Sequence, residues 1–149
     1  MISINNLTKK KVSAVFLKGV AKIVLKGENT GKGKELSIVL IEAPAIKKLN
    51  QKYRKKNKPT DVLSFPAFVS KSGLRRTGKC EEDFLGEIVI CPKEVKKNAK
   101  ENKMAFKKEL AFVLIHGILH LLGYSHEGLK KEAEIMDKKT EKYLFKINL

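Results

Sequence analysis

The sequence predicts a small α+β domain with a roughly four-stranded sheet and four to five helices. Strand-like and helix-like segments alternate along the first half of the chain, whereas helical segments fill the end of it. The 149 residues are the size of one ordinary domain, and hydrophobic residues make up 42% of them, enough for a core. We therefore expect residues 1–149 to form a single domain.

Hydrophobic periodicity predicts the individual elements. The predicted strands are ISIN, ELSIVLIE, DVLSFPAF and FLGEIVICP. The predicted helices run from about Lys9 to Lys26, with Thr8 as a possible N-cap, and through APAIKKLNQKYRKK, KEVKKNAKENK, AFKKELAFVLIHGILHLL and GLKKEAEIMDKKTEKYLF. Pro44 and Pro92 suit first helical turns. The charged segment VSKSGLRRTGKCEED predicts a long loop between two strands that pair as a hairpin.

The charge of the chain favours a polyanionic partner. Lys and Arg number 32 against 16 Asp and Glu, so the formal net charge is +16. Such a field attracts nucleic acid, anionic lipid or acidic protein. A Lys-rich surface also suits solubility or growth at high temperature alone. The charge does not distinguish RNA from DNA.

The two cysteines and the N-terminal segment predict a cytoplasmic protein. Cys80 and Cys91 do not form a CxxC pair, so we expect free thiols in a reducing compartment, with a single disulfide as the alternative. The first residues are rich in Lys and do not resemble a signal peptide. No run of about eighteen apolar residues occurs, so we expect no membrane span.

All three histidines of the chain lie in the segment HGILHLLGYSH. His116 and His120 are four residues apart on a predicted helix, which puts them one turn apart on the same face. Gly123 is suited to end that helix and turn the chain back, which brings His126 towards the other two. Three imidazoles with one open position are typical of a catalytic zinc site, although imidazoles also suit Ni²⁺ and Cu²⁺.

The same spacing matches the metzincin protease signature HExxHxxGxxH at every position but one. Gly117 stands where the protease has its general-base Glu, so the usual activation of water for peptide hydrolysis has no base here. Met136 lies ten residues beyond His126, where it suits either a Met-turn beneath the metal or, as we favour, a core position.

The segment HGILHLLGYSH resembles the HGxLHLxGYDH signature of the YbeY family, the bacterial endoribonucleases of ribosomal RNA maturation. LNQKYRKKNKPTDVLSFP is similar to that family's LNxxYRxxDxPTDVLSFP segment, and FLGEIVICP to its LGDIxIxP segment. The three segments occur in the family's order. The chain departs from the family at three positions where the family usually has Asp: Asn57, Glu87 and Ser125.

The resemblance implies a single α+β domain with one Zn²⁺ held by His116, His120 and His126, and an essential arginine at Arg54. It implies metal-dependent cleavage of single-stranded RNA in 3′-end maturation of small-subunit ribosomal RNA, and a part in ribosome quality control. The implied partners are ribosomal RNA and the small subunit, with neither membrane nor DNA. The loss of an Asp at Ser125 puts any role of that carboxylate in orienting a ligand in doubt.

The residues themselves leave the general base open. Asp61 and Glu87 are the nearest candidates in the matched segments, and each also suits a partner for a ligating imidazole. Basic residues, among them Arg75 and Arg76, are suited to guide RNA. Two other functions remain: a metallopeptidase with a metzincin-like site, and a non-catalytic ribosome-assembly factor whose zinc only stabilises the fold.

Overall fold

The computed structural model describes residues 1–30, 33–67, 83–125 and 128–147. These residues form four strands and five helices, in the order β1 (Ile2–Asn6), α1 (Ala14–Gly27), β2 (Glu35–Leu40), α2 (Ala43–Arg54), β3 (Val62–Pro66), β4 (Phe84–Ile90), α3 (Pro92–Glu101), α4 (Phe106–Leu121) and α5 (Lys130–Lys146). The predicted α+β fold is therefore confirmed. The predicted loop between β3 and β4, with Arg75, Arg76 and Cys80, lies outside the described residues except for Asp83.

The sheet is mixed, with strand order β1-β2-β4-β3. β2 pairs in parallel with both β1 and β4, whereas β3 pairs antiparallel with β4, as the hairpin prediction requires. β3 is thus an edge strand.

Alternate residues of the strands face two separate cores. Ile38 and Ile88 belong to the main core, which α1, α3, α4 and α5 cover, and Met136 is fully buried there, as favoured from the sequence. Val89 and Leu63 face the other side, where they pack against Ile46 of α2. The Cys91 thiol is free and buried in this smaller core, and burial raises its pKa.

The predicted start of α1 is wrong. The helix begins at Ala14, and the hydroxyl of Ser13 caps it by accepting a hydrogen bond from the Phe16 amide at 3.1 Å. Thr8, the predicted cap, instead donates from its amide and hydroxyl to the Asn6 side chain at 2.9 and 2.7 Å. This local turn competes with the helix for the backbone before Ser13.

α4 is the most buried helix, because it crosses β3 and β4 on one side and contacts α1, α3 and α5 on the others. Within the described part of the chain, no helix has the length and apolar character needed to cross a membrane.

Candidate metal centre

One stripe of α4 escapes burial and carries the two described histidines. Lys108, Phe112, His116 and His120 follow each other at four-residue spacing, and all four are exposed or half-buried. Most residues on the remaining faces are buried, and the apolar ones from Leu110 to Leu121 pack into the main core. We call these four residues the open stripe of α4.

His116 and His120 lie side by side on this stripe. Their ring centroids are 5.0 Å apart and the rings meet edge to face, at an interplanar angle of 78°. Phe112, one turn earlier, stacks on His116 at 5.8 Å and 20° and leaves 38% of its own surface exposed. The predicted pairing of these two imidazoles on one helix face is therefore present in the structure.

The orientation of His120 follows from a hydrogen bond to the chain just beyond α4. Its Nδ1 lies 3.0 Å from the backbone oxygen of Tyr124. Because a carbonyl oxygen only accepts, Nδ1 carries the proton and the lone pair resides on Nε2. This is the tautomer that a metal-ligating histidine adopts when a carbonyl holds its other nitrogen.

The chain turns back after α4, as the sequence predicts. Gly123 has φ +103°, a conformation that a side chain would strain. His126, the third predicted ligand, lies outside the described residues. Among the residues that the structure describes, no three His, Cys, Asp or Glu side chains are placed to hold a metal ion. The three-histidine set therefore stays a prediction.

Gly117 occupies the position of the protease base, and it faces the sheet. A Cβ atom there would lie 3.1 Å from the Ser64 Oγ and 3.3 Å from Ile88 Cγ2. The Ser64 hydroxyl also donates to the Gly117 carbonyl at 3.1 Å. A glutamate at this position would enter the sheet rather than the open stripe, which disfavours a metallopeptidase.

Arg54 is the last residue of α2 and is exposed. The preceding residue, Tyr53, contacts the Phe65 ring edge to face at 5.4 Å. Phe65 follows Ser64, the residue of β3 that contacts α4. Arg54 therefore lies next to Tyr53, which contacts β3 on one face of the sheet. His116 lies next to Gly117, which contacts β3 on the other face.

The two candidate bases have structural partners. The Asp61 carboxylate accepts from Asn98 of α3 at 3.2 Å and from Thr60 at 3.3 Å. Glu87 accepts from the Ser37 hydroxyl at 3.0 Å, on the sheet face opposite α4. The sheet therefore separates Glu87 from His116 and His120.

A cluster that the sequence did not predict lies beside the turn after α4. The carboxylate of Glu28, which follows α1, is 6% exposed and accepts hydrogen bonds from Tyr124 at 2.6 Å, from Lys139 at 3.0 Å and from Tyr143. Burial alone would raise the Glu28 pKa, but these three donors lower it overall. Burial and the bond to Glu28 raise the pKa of Tyr143 to about 12.

Comparison with known protein families agrees with the resemblance of the three sequence segments to the YbeY family. A family model described as Endoribonuclease YbeY matches residues 3–148. The chain belongs to the YbeY family. An Endoribonuclease YbeY from Thermotoga maritima is 43% identical over 109 residues, which are 73% of this chain and 65% of that protein. The chain thus spans slightly less than two thirds of that relative.

Other members of the YbeY family align over more of their length. An Endoribonuclease YbeY from Pelotomaculum thermopropionicum is 39% identical over 134 residues, which are 90% of this chain and 86% of that protein. A solution structure of a Thermotoga maritima protein superimposes with a TM-score of 0.65 at 36% identity. The superposition covers 99% of this chain and 89% of the Thermotoga maritima chain. Sequence and fold therefore agree along nearly the whole chain.

Proposed function

We propose that this protein is a zinc-dependent endoribonuclease that cleaves single-stranded ribosomal RNA. The observation that carries the proposal is the pair of imidazoles 5.0 Å apart on the open stripe of α4, in a chain of the YbeY family. Relatives in that family have the name Endoribonuclease YbeY.

Two of the described residues suit a metal ion as ligands. His116 and His120 each offer an imidazole nitrogen on one helix face, and the tautomer of His120 presents Nε2 as a ligand. We assign the ligand set as His116, His120 and His126. Zinc, when bound by three histidines, supplies a Lewis acid and an acidified water molecule.

Arg54 is the proposed phosphate ligand. Its guanidinium presents N–H donors in a planar fork that matches two phosphate oxygens at once. Arg54 is exposed at the end of α2, and its place in the segment that resembles the YbeY family supports this role. Arg54 would orient the scissile phosphate and neutralise its developing charge.

The proposed substrate is single-stranded RNA of the small ribosomal subunit, and the proposed process is 3′-end maturation and quality control of ribosomes in the cytoplasm. The net charge of +16 suits a phosphate backbone and supplies affinity without sequence preference. DNA is not the expected substrate. The whole chain, residues 1–149, is proposed to act as one catalytic domain.

The deciding experiment is a side-by-side assay of ribosomal RNA and a peptide library with the purified protein. We expect cleavage of single-stranded RNA, its loss after chelation and its return with Zn²⁺, and no peptide hydrolysis. A His116→Ala/His120→Ala variant, purified in the same way, controls for contaminating nucleases. Bound zinc without any RNA cleavage would instead support the assembly-factor function, and peptide hydrolysis would support the peptidase.

Replacing Arg54 by Ala should reduce RNA cleavage while folding and metal content stay unchanged. We expect a loss of roughly 10²–10³ in kcat, the range for removing one donor to a transition-state oxyanion. Single-turnover cleavage measures it. Lys56→Ala removes an equally exposed charge two residues away and should cost far less. Equal effects of the two substitutions would assign Arg54 to general charge attraction only.

A further inference from the structure

Tyr124, in the turn after α4, makes hydrogen bonds through both its side chain and its backbone. Its hydroxyl donates to Glu28 at 2.6 Å, and its backbone oxygen accepts from Nδ1 of His120 at 3.0 Å. Glu28 and Tyr124 are 96 residues apart in sequence. Two hydrogen bonds, joined by the covalent frame of Tyr124, therefore connect the end of α1 to an imidazole of the open stripe.

Glu28 is built to hold this connection. Its carboxylate is 6% exposed, and Lys139 and Tyr143 of α5 bind it from the other side. A buried carboxylate bound by a cation and two hydroxyls has a single preferred orientation. The Tyr124 hydroxyl, and with it the turn, is thus attached to the two helices that flank α4.

We propose that Glu28 is a positioning residue for the metal centre, which acts through Tyr124 to hold His120 in its ligating tautomer and orientation. The inference rests on the proposed metal site. It adds a residue outside the motif HGILHLLGYSH, with no role in contacting metal or RNA itself.

The alternative is that Glu28 only joins α1 to α5. The two tyrosines separate these possibilities, because each donates one hydroxyl to the same carboxylate, but only Tyr124 continues to His120. Tyr124→Phe and Tyr143→Phe each remove one oxygen atom and keep the ring. Both should lower the thermal stability, since each removes a hydrogen bond to a charged group.

The test compares zinc affinity in the wild type and the two variants, by competition with a chromophoric chelator. We expect Tyr124→Phe to bind Zn²⁺ up to about 10-fold more weakly, below the roughly 10- to 100-fold of losing an orienting partner itself, because the Tyr124 carbonyl stays but is no longer attached to Glu28. Tyr143→Phe should lose much less affinity, because Tyr124 and Lys139 still bind Glu28. Glu28→Gln, which removes the charge from the anchor, should follow Tyr124→Phe.

A metal-free readout completes the test. Long-range ¹H–¹⁵N spectra of the apoprotein should show His120 protonated at Nδ1 in the wild type and in Tyr143→Phe, and a tautomer mixture in Tyr124→Phe. Wild-type affinity and tautomer in Tyr124→Phe would overturn the positioning role, while the zinc enzyme would stand. Equal losses of affinity in both tyrosine variants would also overturn it. A wild type that binds no metal would overturn the proposed function and this inference together.

Discussion

Replacing His120 by Ala should abolish zinc binding and RNA cleavage without unfolding the protein. The imidazole is half-buried on the open stripe, so its removal leaves no large cavity, and Ala favours a helix. We expect the free energy of unfolding of the apoprotein to change by less than about 1 kcal/mol. Zinc affinity should fall by more than 100-fold, since partners that merely orient ligands already contribute about 10–100-fold.

His116→Ala should give the same result, because its ring lies 5.0 Å from that of His120. Elemental analysis after dialysis measures the zinc content, and circular dichroism measures the folding of the protein. Lys108→Ala is the matched control, since Lys108 lies on the same stripe but is not one of the assigned ligands. A His116→Ala or His120→Ala protein that keeps full zinc content would refute the assigned ligands.

Of the substitutions proposed for this protein, Gly86→Ala should lower the free energy of unfolding the most. Gly86 has φ +144°, and a Cβ atom there would lie 2.5 Å from the backbone oxygen of Phe65 and 2.9 Å from Leu121 Cδ2. The first atom belongs to the neighbouring strand β3, where Gly86 pairs with Pro66, so it cannot move without breaking the sheet. Backbone strain and overpacking together should cost about 3 kcal/mol or more.

For a chain of this size, such a loss lowers the Tm by about 6–12 °C, which calorimetry measures. Gly33→Ala is the control, because Gly33 has φ +82° but open space around a Cβ atom, so only backbone strain remains. Gly86→Ala should also reduce RNA cleavage, since Leu121 follows His120 in the last turn of α4. A variant no less stable than Gly33→Ala would show that the close approach of β3, β4 and α4 is not required.

The sequence predicted the elements well because each depends on local periodicity. Alternating apolar residues are typical of the half-buried strands, and Pro44 and Pro92 begin α2 and α3 as expected. The start of α1 was wrong because Asn6 and Thr8 form a turn of their own, and Ser13 is the cap that the helix uses. Thr8 and Ser13 both suit an N-cap, and the sequence pattern alone does not show which of them the helix uses.

The histidine pair was also predictable, because four-residue spacing on a helix brings two side chains together whatever surrounds them. Glu28 was not predictable. It meets Tyr124 and Tyr143 across 96 and 115 residues, and nothing in its own segment, GENTGKGK, distinguishes it from any other loop carboxylate.

By itself, the amino-acid sequence determined the α+β class, the family segments and the two imidazoles on one helix face, since all of these depend on near neighbours. Only the tertiary structure decided that Gly117 faces the sheet, that Glu87 lies on the face away from α4, and that Glu28 holds the turn after His120. These three facts depend on which strand is at the edge and which helices flank α4. Long-range packing sets both.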